Sequence, residues 1–136
     1  YMHTTDDRTP VTFITRYYLD KIKRLCDAHG TKLLFVTAPS PVNHTMQRHN
    51  EVQALADALA VPYLDLNLNT EELGIDWNLD TLDGGDHLNY TGCQKATAYL
   101  QRYMQTHYTL PDRRDDVRYE AWNKQAEEFE KLLPQP

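Results

Sequence analysis

The sequence predicts an α/β fold built on a parallel sheet. Two short apolar runs, residues 32–38 (KLLFVTA) and 61–66 (VPYLDL), flank a stretch whose apolar residues recur at helical spacing. Runs with so little alternation are typical of strands that are buried on both faces. A strand, a crossover helix and a second strand form a right-handed βαβ unit by default. We therefore expect the two strands to lie parallel.

A helix is predicted before the first strand. Thr9 is expected to be its N-cap, Pro10 its first helical residue and Gly30 its end. The apolar residues of one face are expected to point inward, and they are Ile14, Tyr18, Ile22 and Leu25. The crossover helix is marked by Val52, Leu55, Ala56 and Leu59.

Two more helices are predicted in the second half of the chain. The third begins at about Thr91, with inward positions at Cys93, Ala96, Leu100 and Tyr103 or Met104. The fourth follows the turn LPDRRDD and carries one apolar stripe, which consists of Tyr119, Trp122, Ala126, Phe129 and Leu133. We assign residues 1–108 to a partial α/β domain and residues 109–136 to a turn and helix that pack on it.

Composition and charge exclude some classes of function. The 136 residues carry a formal net charge of −6 and no cluster of Lys or Arg, which argues against nucleic-acid binding. The only cysteines, Cys26 and Cys93, lie at helical spacing with apolar positions and are expected to be buried thiols, with a disulfide between them as the lesser alternative. We expect no cofactor.

The inventory of elements is unbalanced. Two buried parallel strands cannot cover three or four amphipathic helices, because the strand edges and most of both faces would stay open. We therefore expect either that the chain is the C-terminal portion of a larger domain or that it completes its sheet with another chain.

The loops after the two strands are the expected place for a site, because doubly wound sheets bind ligands at the carboxyl ends of their strands. Ser40, the only serine, stands between two prolines and is interpreted as a turn residue. His44 and His49 are interpreted as exposed positions at the start of a helix.

The segment TLDGGDHLNYTGC, residues 81–93, has the strongest candidate for chemistry. A general base needs a carboxylate that fixes its tautomer, and Asp83 stands four residues before His87 across two glycines that allow the loop to fold back. Asp86 is adjacent to His87 and is the second choice. A polar loop that caps a helix is the alternative. A further alternative is an oxygen-rich site for Mg²⁺ or Ca²⁺, with ligands from Asp65, Asp80, Asp83, Asp86 and His87.

The order of these pieces resembles a known family. A strand that ends in APSP, a helix, the strand VPYLDL, the loop DGGDHLNYTG and an amphipathic helix resemble the C-terminal half of the SGNH/GDSL hydrolase superfamily, over residues 11–104. The resemblance implies a flavodoxin-like α/β/α fold and a Ser-Asp-His triad that acts on acyl esters, commonly on sugars and lipids.

Carried over to this chain, the resemblance implies that His87 is the catalytic histidine. The family block reads Asp-x-x-His, but the position three before His87 is Gly84, so Asp83 is taken as the partner and Asp86 as the alternative. The family's Gly-Asp-Ser block does not occur in the sequence. We therefore expect that this chain is the histidine half of a hydrolase or acyltransferase and that it is inactive alone. The resemblance also implies an N-terminal membrane anchor in the full-length protein, because relatives of this type often carry one. A non-enzymatic assembly module is the competing interpretation.

Overall fold

The chain is mixed α/β, in agreement with the predicted class. The computed structural model describes residues 1–133 and contains two compact units, residues 1–100 and the residues from Gln101 onward. The helices are α1 (Phe13–Ala28), α2 (Met46–Ala58), α3 (Thr70–Leu73), α4 (Tyr90–His107) and α5 (Glu120–Leu132). The strands are β1 (Phe35–Thr37) and β2 (Tyr63–Asp65), and short 3₁₀ helices cover Leu66–Asn69 and Val117–Tyr119.

The two strands form the predicted parallel pair. They are joined through α2 and pair in the register Phe35↔Tyr63, Val36↔Leu64 and Thr37↔Asp65. Their carboxyl ends therefore lie side by side. The prediction that both faces of β1 are buried is wrong, because Val36 is exposed and its two neighbours are half-buried.

The buried apolar core is small. Six hydrophobic residues of the described chain are buried, and they come from α2, the segment around β2 and α3: Leu55, Ala56, Val61, Leu64, Leu66 and Leu73. Helix α4 packs closely against the preceding loop at Gly92, where a Cβ would stand 2.3 Å from the carbonyl oxygen of Asp80.

Helix α1 begins later than predicted. Thr12, not Thr9, is the N-cap, and its Oγ1 accepts a hydrogen bond of 3.1 Å from the backbone N–H of Thr15. The N–H of Thr9 donates to the carbonyl of Gln47, so the segment before α1 lies against α2 at this point. Pro10 therefore lies outside the helix.

The apolar face of α1 is not covered within this chain. Ile14 is 65% exposed and Leu25 is 61% exposed, and Tyr18 and Ile22 are exposed as well. The prediction that these residues point inward is wrong for the structure of this chain. The pattern shows which face would be buried, but no element of the described residues packs against it.

The cysteines are also more accessible than predicted. Both are free thiols, Cys26 half-buried and Cys93 exposed, so the prediction of two buried thiols is wrong. Like the apolar residues of α1, they are not covered by another element of the described chain.

The apolar residues of the second unit are also exposed, as Trp122 and Phe129 of α5 show. No helix of residues 1–133 combines the length and apolar character needed to cross a membrane.

Candidate functional site

The loops that follow β1 and β2 are tied together by Asn67. Its side-chain N–H donates to the carbonyl of Ala38 at 3.0 Å, and its Oδ1 accepts the backbone N–H of Ser40 at 2.8 Å. Asn67 is buried and follows β2 closely in the chain. The backbone pairing of the two strands ends at Thr37 and Asp65, and beyond that point the side-chain hydrogen bonds of Asn67 connect the two segments. The two loops therefore start from one rigid edge of the sheet.

Ser40 occupies the predicted turn. Its Oγ accepts the N–H of Asn43 at 3.1 Å, and its carbonyl accepts the N–H of His44 at 2.9 Å. Both bonds are local and close the PSPVN turn. Within residues 1–133 no hydrogen bond joins the Ser40 hydroxyl to an imidazole.

The segment from Thr81 to Leu88 forms a closed loop. Thr81 and Leu88 make an antiparallel bridge, and the N–H of Leu82 donates to the carbonyl of His87 at 2.9 Å. The tip turns through Gly84 and Gly85, whose φ values of +71° and +111° lie in the region that favours glycine. This reversal brings the two ends of the DGGDH segment face to face.

The reversal joins Asp83 to His87. Oδ2 of Asp83 lies 2.7 Å from Nδ1 of the imidazole, and Oδ1 accepts the backbone N–H of His87, also at 2.7 Å. The closest carboxylate oxygen of Asp86 lies 3.4 Å from the same Nδ1. The geometry therefore favours Asp83 over Asp86 as the partner of the ring.

Each group shifts the pKa of the other. The hydrogen bond from His87 is the main reason that the pKa of Asp83 lies below its ordinary value. The hydrogen bond to Asp83, followed by the charge of Asp86, raises the pKa of His87. The His87 side chain is 69% exposed, and its Nε2 forms no hydrogen bond with the described residues. That nitrogen is accessible to a reactant.

The loop after β1 contacts this loop. Pro41 packs on Gly85 so closely that a Cβ at Gly85 would stand 2.8 Å from Cγ of the proline. The side-chain amide of Asn43 donates to Oδ1 of Asp86, whereas the oxygen of Asp86 nearest to the imidazole is Oδ2. Asp86 therefore links the two loops, while Asp83 holds His87.

The predicted five-residue metal set is divided by the structure. Only Asp83, Asp86 and His87 come together, with one ligand atom from each within 4.8 Å of the others. Asp80 is instead paired with Lys95 at 2.6 Å, and Asp65 lies in a separate cluster. A divalent cation at the three remaining groups would replace the Asp83–His87 hydrogen bond.

A second cluster of polar side chains was not predicted from the sequence. Oδ2 of Asp65, at the end of β2, lies 2.9 Å from Nε2 of His44 and 2.7 Å from Nδ1 of His49. His44 is buried and His49 half-buried, so the prediction that both are exposed is wrong. The first turn of α2 starts at the sheet edge where β2 ends, and the two rings converge on one carboxylate.

Asp65 is held as a carboxylate by its neighbours. Burial alone would raise its pKa, but hydrogen bonds from the side chain and backbone of Asn67 and from His49, with the charge of His44, outweigh burial and lower it. The Asp65 side chain is 1% exposed. Burial also raises the pKa of the nearby Tyr63, whose hydroxyl donates to Oδ2 of Asp65 at 3.1 Å.

A signal for this cluster exists in the sequence. Asp65 lies next to the end of the predicted strand 61–66, and His44 and His49 stand on either side of the start of the helix that leads into that strand. In a βαβ unit the N-terminus of the crossover helix lies at the carboxyl edge of the sheet. The spacing of the histidines alone does not reveal this proximity, because it depends on the fold.

Comparison of the chain with protein-family models, with curated proteins and with solved structures yields no significant match.

Proposed function

We propose that this chain supplies the Asp–His half of an SGNH/GDSL-type catalytic site that acts on acyl esters. The observation that carries the proposal is the Asp83–His87 pair, with 2.7 Å between Oδ2 and Nδ1 and with the other ring nitrogen accessible. The pair stands on a loop that is packed against the loop after β1, at the edge of the sheet where α/β proteins bind ligands.

The chemistry follows from the tautomer. A carboxylate beside Nδ1 keeps the proton on that nitrogen, so Nε2 carries the lone pair and can remove a proton from a hydroxyl nucleophile. Asp83 then stabilises the imidazolium that forms. The raised pKa of His87 fits this role, since it reflects a carboxylate that favours the charged ring. The same imidazolium can return its proton to a leaving alcohol.

The nucleophile must come from outside this chain. Ser40 is the only serine, and its hydroxyl accepts a hydrogen bond from the neighbouring N–H of Asn43. A half-site without nucleophile and oxyanion donors should not turn over an ester. The uncovered face of α1 and the two-stranded sheet support the same view, because additional strands from the rest of a larger domain would pair with the sheet and cover the helix. The substrate class that follows from this proposal is an acyl ester, for example an ester on a carbohydrate.

The experiment is ester hydrolysis by the full product of the gene that encodes this chain, with p-nitrophenyl acetate as substrate. His87→Ala should lower kcat by roughly 10²–10⁴-fold, the usual contribution of a general base. Asp86→Asn is the matched control and should act less strongly than Asp83→Asn. Full activity in His87→Ala would overturn the proposal.

A second function is favoured by one specific observation. The exposed apolar residues of α1, which include Phe13, Ile14 and Leu25, lie on one uncovered helix face, and contiguous exposed apolar surface is typical of an interaction site. We propose as the alternative that the chain is a non-enzymatic assembly module, which completes its sheet and covers α1 with a partner or a second copy. Sedimentation of the isolated chain at micromolar concentration tests this alternative, and a well-folded monomer would count against self-assembly.

A further inference from the structure

Asn43, in the loop after β1, is joined by its side chain to the DGGDH segment, residues 83–87. The side-chain N–H of Asn43 donates to Oδ1 of Asp86 across 43 positions of sequence. The same two loops are packed together where Pro41 contacts Gly85. The hydrogen bond therefore depends on the fold, and the position of the Asp86 carboxylate depends on the position of Asn43.

The backbone of Asn43 is anchored on both sides. Its N–H donates to Oγ of Ser40 at 3.1 Å, and the N–H of Ser40 donates in turn to Oδ1 of Asn67 at 2.8 Å. The next residue, His44, is buried, with its Nε2 at 2.9 Å from Oδ2 of Asp65. Asn67 and Asp65 are both buried at the end of β2. The amide of Asn43 therefore projects from a turn that is fixed to the carboxyl edge of the sheet.

Two carboxylates compete for one nitrogen of the His87 ring. Oδ2 of Asp83 lies 2.7 Å from Nδ1, and Oδ2 of Asp86 lies 3.4 Å from the same atom. A proton on Nδ1 is donated at short distance to only one acceptor. Oδ2 of Asp86 accepts no hydrogen bond from residues 1–133, so a small rotation of this carboxylate would bring it into hydrogen-bonding distance of the ring.

The amide of Asn43 opposes this rotation. The two oxygens of Asp86 belong to one planar carboxylate, so a hydrogen bond that fixes Oδ1 also fixes the orientation of Oδ2. An asparagine suits this position, because its amide donates a hydrogen bond without placing a positive charge beside the imidazole. Asp86 is thereby held near enough for its charge to act on His87, but not as the hydrogen-bond partner of Nδ1.

From these contacts we propose that Asn43 is a positioning residue, which keeps Asp86 away from Nδ1 of His87 and so leaves Asp83 as the partner of the ring. Asp83 also accepts the backbone N–H of His87 at 2.7 Å, so this carboxylate fixes the ring relative to its own backbone. A ring that turned toward Asp86 would direct Nε2 to a different point. The importance of Asn43 for catalysis rests on the proposed function, in which Nε2 of His87 is the base.

The test is the tautomer of the His87 ring in the folded 136-residue chain, read from ¹H–¹⁵N spectra of the imidazole at a pH at which the ring is neutral. Asp83→Asn should lower the ratio of the Nδ1–H to the Nε2–H tautomer several-fold, because the carboxylate that holds the proton on Nδ1 is lost. In the double variant Asn43→Ala with Asp83→Asn, Asp86 is released and accepts from Nδ1, so the Nδ1–H tautomer should recover. Addition of Asp86→Asn to the double variant should abolish the recovery.

Ser40→Ala in the Asp83→Asn background is the matched control, because it removes a hydrogen bond to the backbone of Asn43 and leaves the side-chain amide in place. It should give no recovery. Equal recovery with Ser40→Ala and Asn43→Ala would mean that a loosened turn, not the lost amide, moves Asp86, and would overturn the proposal. Absence of recovery with Asn43→Ala in a chain with a native amide spectrum would overturn it as well. No ester enters these spectra, so the proposed acyl chemistry succeeds or fails separately.

Discussion

Oδ2 of Asp83 lies 2.7 Å from Nδ1 of His87, whereas the nearest oxygen of Asp86 lies 3.4 Å from that nitrogen. The contact depends on a reversal of the chain at Gly84 and Gly85, and it fixes one edge of an accessible imidazole. Asp86 is held instead by Asn43 of the neighbouring loop. The two carboxylates of the DGGDH segment therefore differ in their effects on the ring.

The first prediction concerns the titration of His87. Its pKa lies above the ordinary histidine value because of Asp83 first and Asp86 second. Asp83→Asn should therefore lower this pKa more than Asp86→Asn does, as followed by the ¹H–¹³C signals of the ring against pH. The reverse order would show that Asp86 is the partner. Because the folded pKa of His87 is raised and that of Asp83 is lowered, any stabilisation by the pair is present between these two pKa values. It is lost as the pH rises through the folded pKa of His87 and as the pH falls through the folded pKa of Asp83.

The second prediction concerns the buried carboxylate of Asp65. Asp65→Asn leaves His44, His49 and Asn67 donating toward a neutral amide, so the free energy of unfolding at pH 7 should fall by about 3 kcal/mol. Urea denaturation measures the loss. Asp57→Asn, at an exposed position of α2, is the control and should change stability by less than about 0.5 kcal/mol.

The third prediction is that Asp65 makes the free energy of unfolding depend on pH. The pKa of Asp65 is lowered in the folded chain, so its contribution is present above the unfolded pKa and is lost as the pH falls through the folded pKa. Wild-type stability should decline in acid more than that of Asp65→Asn. Parallel acid profiles for the two proteins would contradict the assigned role.

The fourth prediction compares two neighbouring glycines. Gly84→Ala places a Cβ in open space at φ +71°, and should cost about 1 kcal/mol of unfolding free energy for the left-handed backbone alone. Gly85→Ala combines φ +111° with a Cβ 2.8 Å from Pro41, and should cost about 1–3 kcal/mol more. Chemical denaturation of both variants checks the difference. Equal losses would mean that the two loops do not pack as described.

The fifth prediction concerns the uncovered face of α1. The double variant Ile22→Ser and Leu25→Ser should keep the stability of the isolated chain nearly unchanged, because both side chains are exposed. It should bind less of a fluorescent apolar dye, and it should lose any self-association seen by sedimentation. Arg24→Ser, on the polar side of the helix, should change neither readout. A strong loss of stability in the double variant would show that the face is packed within this chain.

The sequence was sufficient where the determinants are local. Parallel pairing of β1 and β2 follows from two apolar runs and one helix between them, and the contact between Asp83 and His87 follows from two glycines within a five-residue segment. The Asp65 cluster was not predicted, because His44 and His49 meet the carboxylate 21 and 16 residues away only after the βαβ unit has formed. Burial of α1 was predicted wrongly for a related reason. Periodicity identifies an apolar face, but not the surface that covers it.

Labelling of the active-site nucleophile tests the central claim most directly. A fluorophosphonate reacts with a serine only when a neighbouring base activates its hydroxyl. The full product of the gene that encodes this chain should be labelled at a serine outside residues 1–136, and His87→Ala should abolish the labelling, while the isolated chain should not react. Labelling of equal intensity in the wild-type protein and His87→Ala, or no labelling of the full product, would contradict the assignment of His87 as the general base.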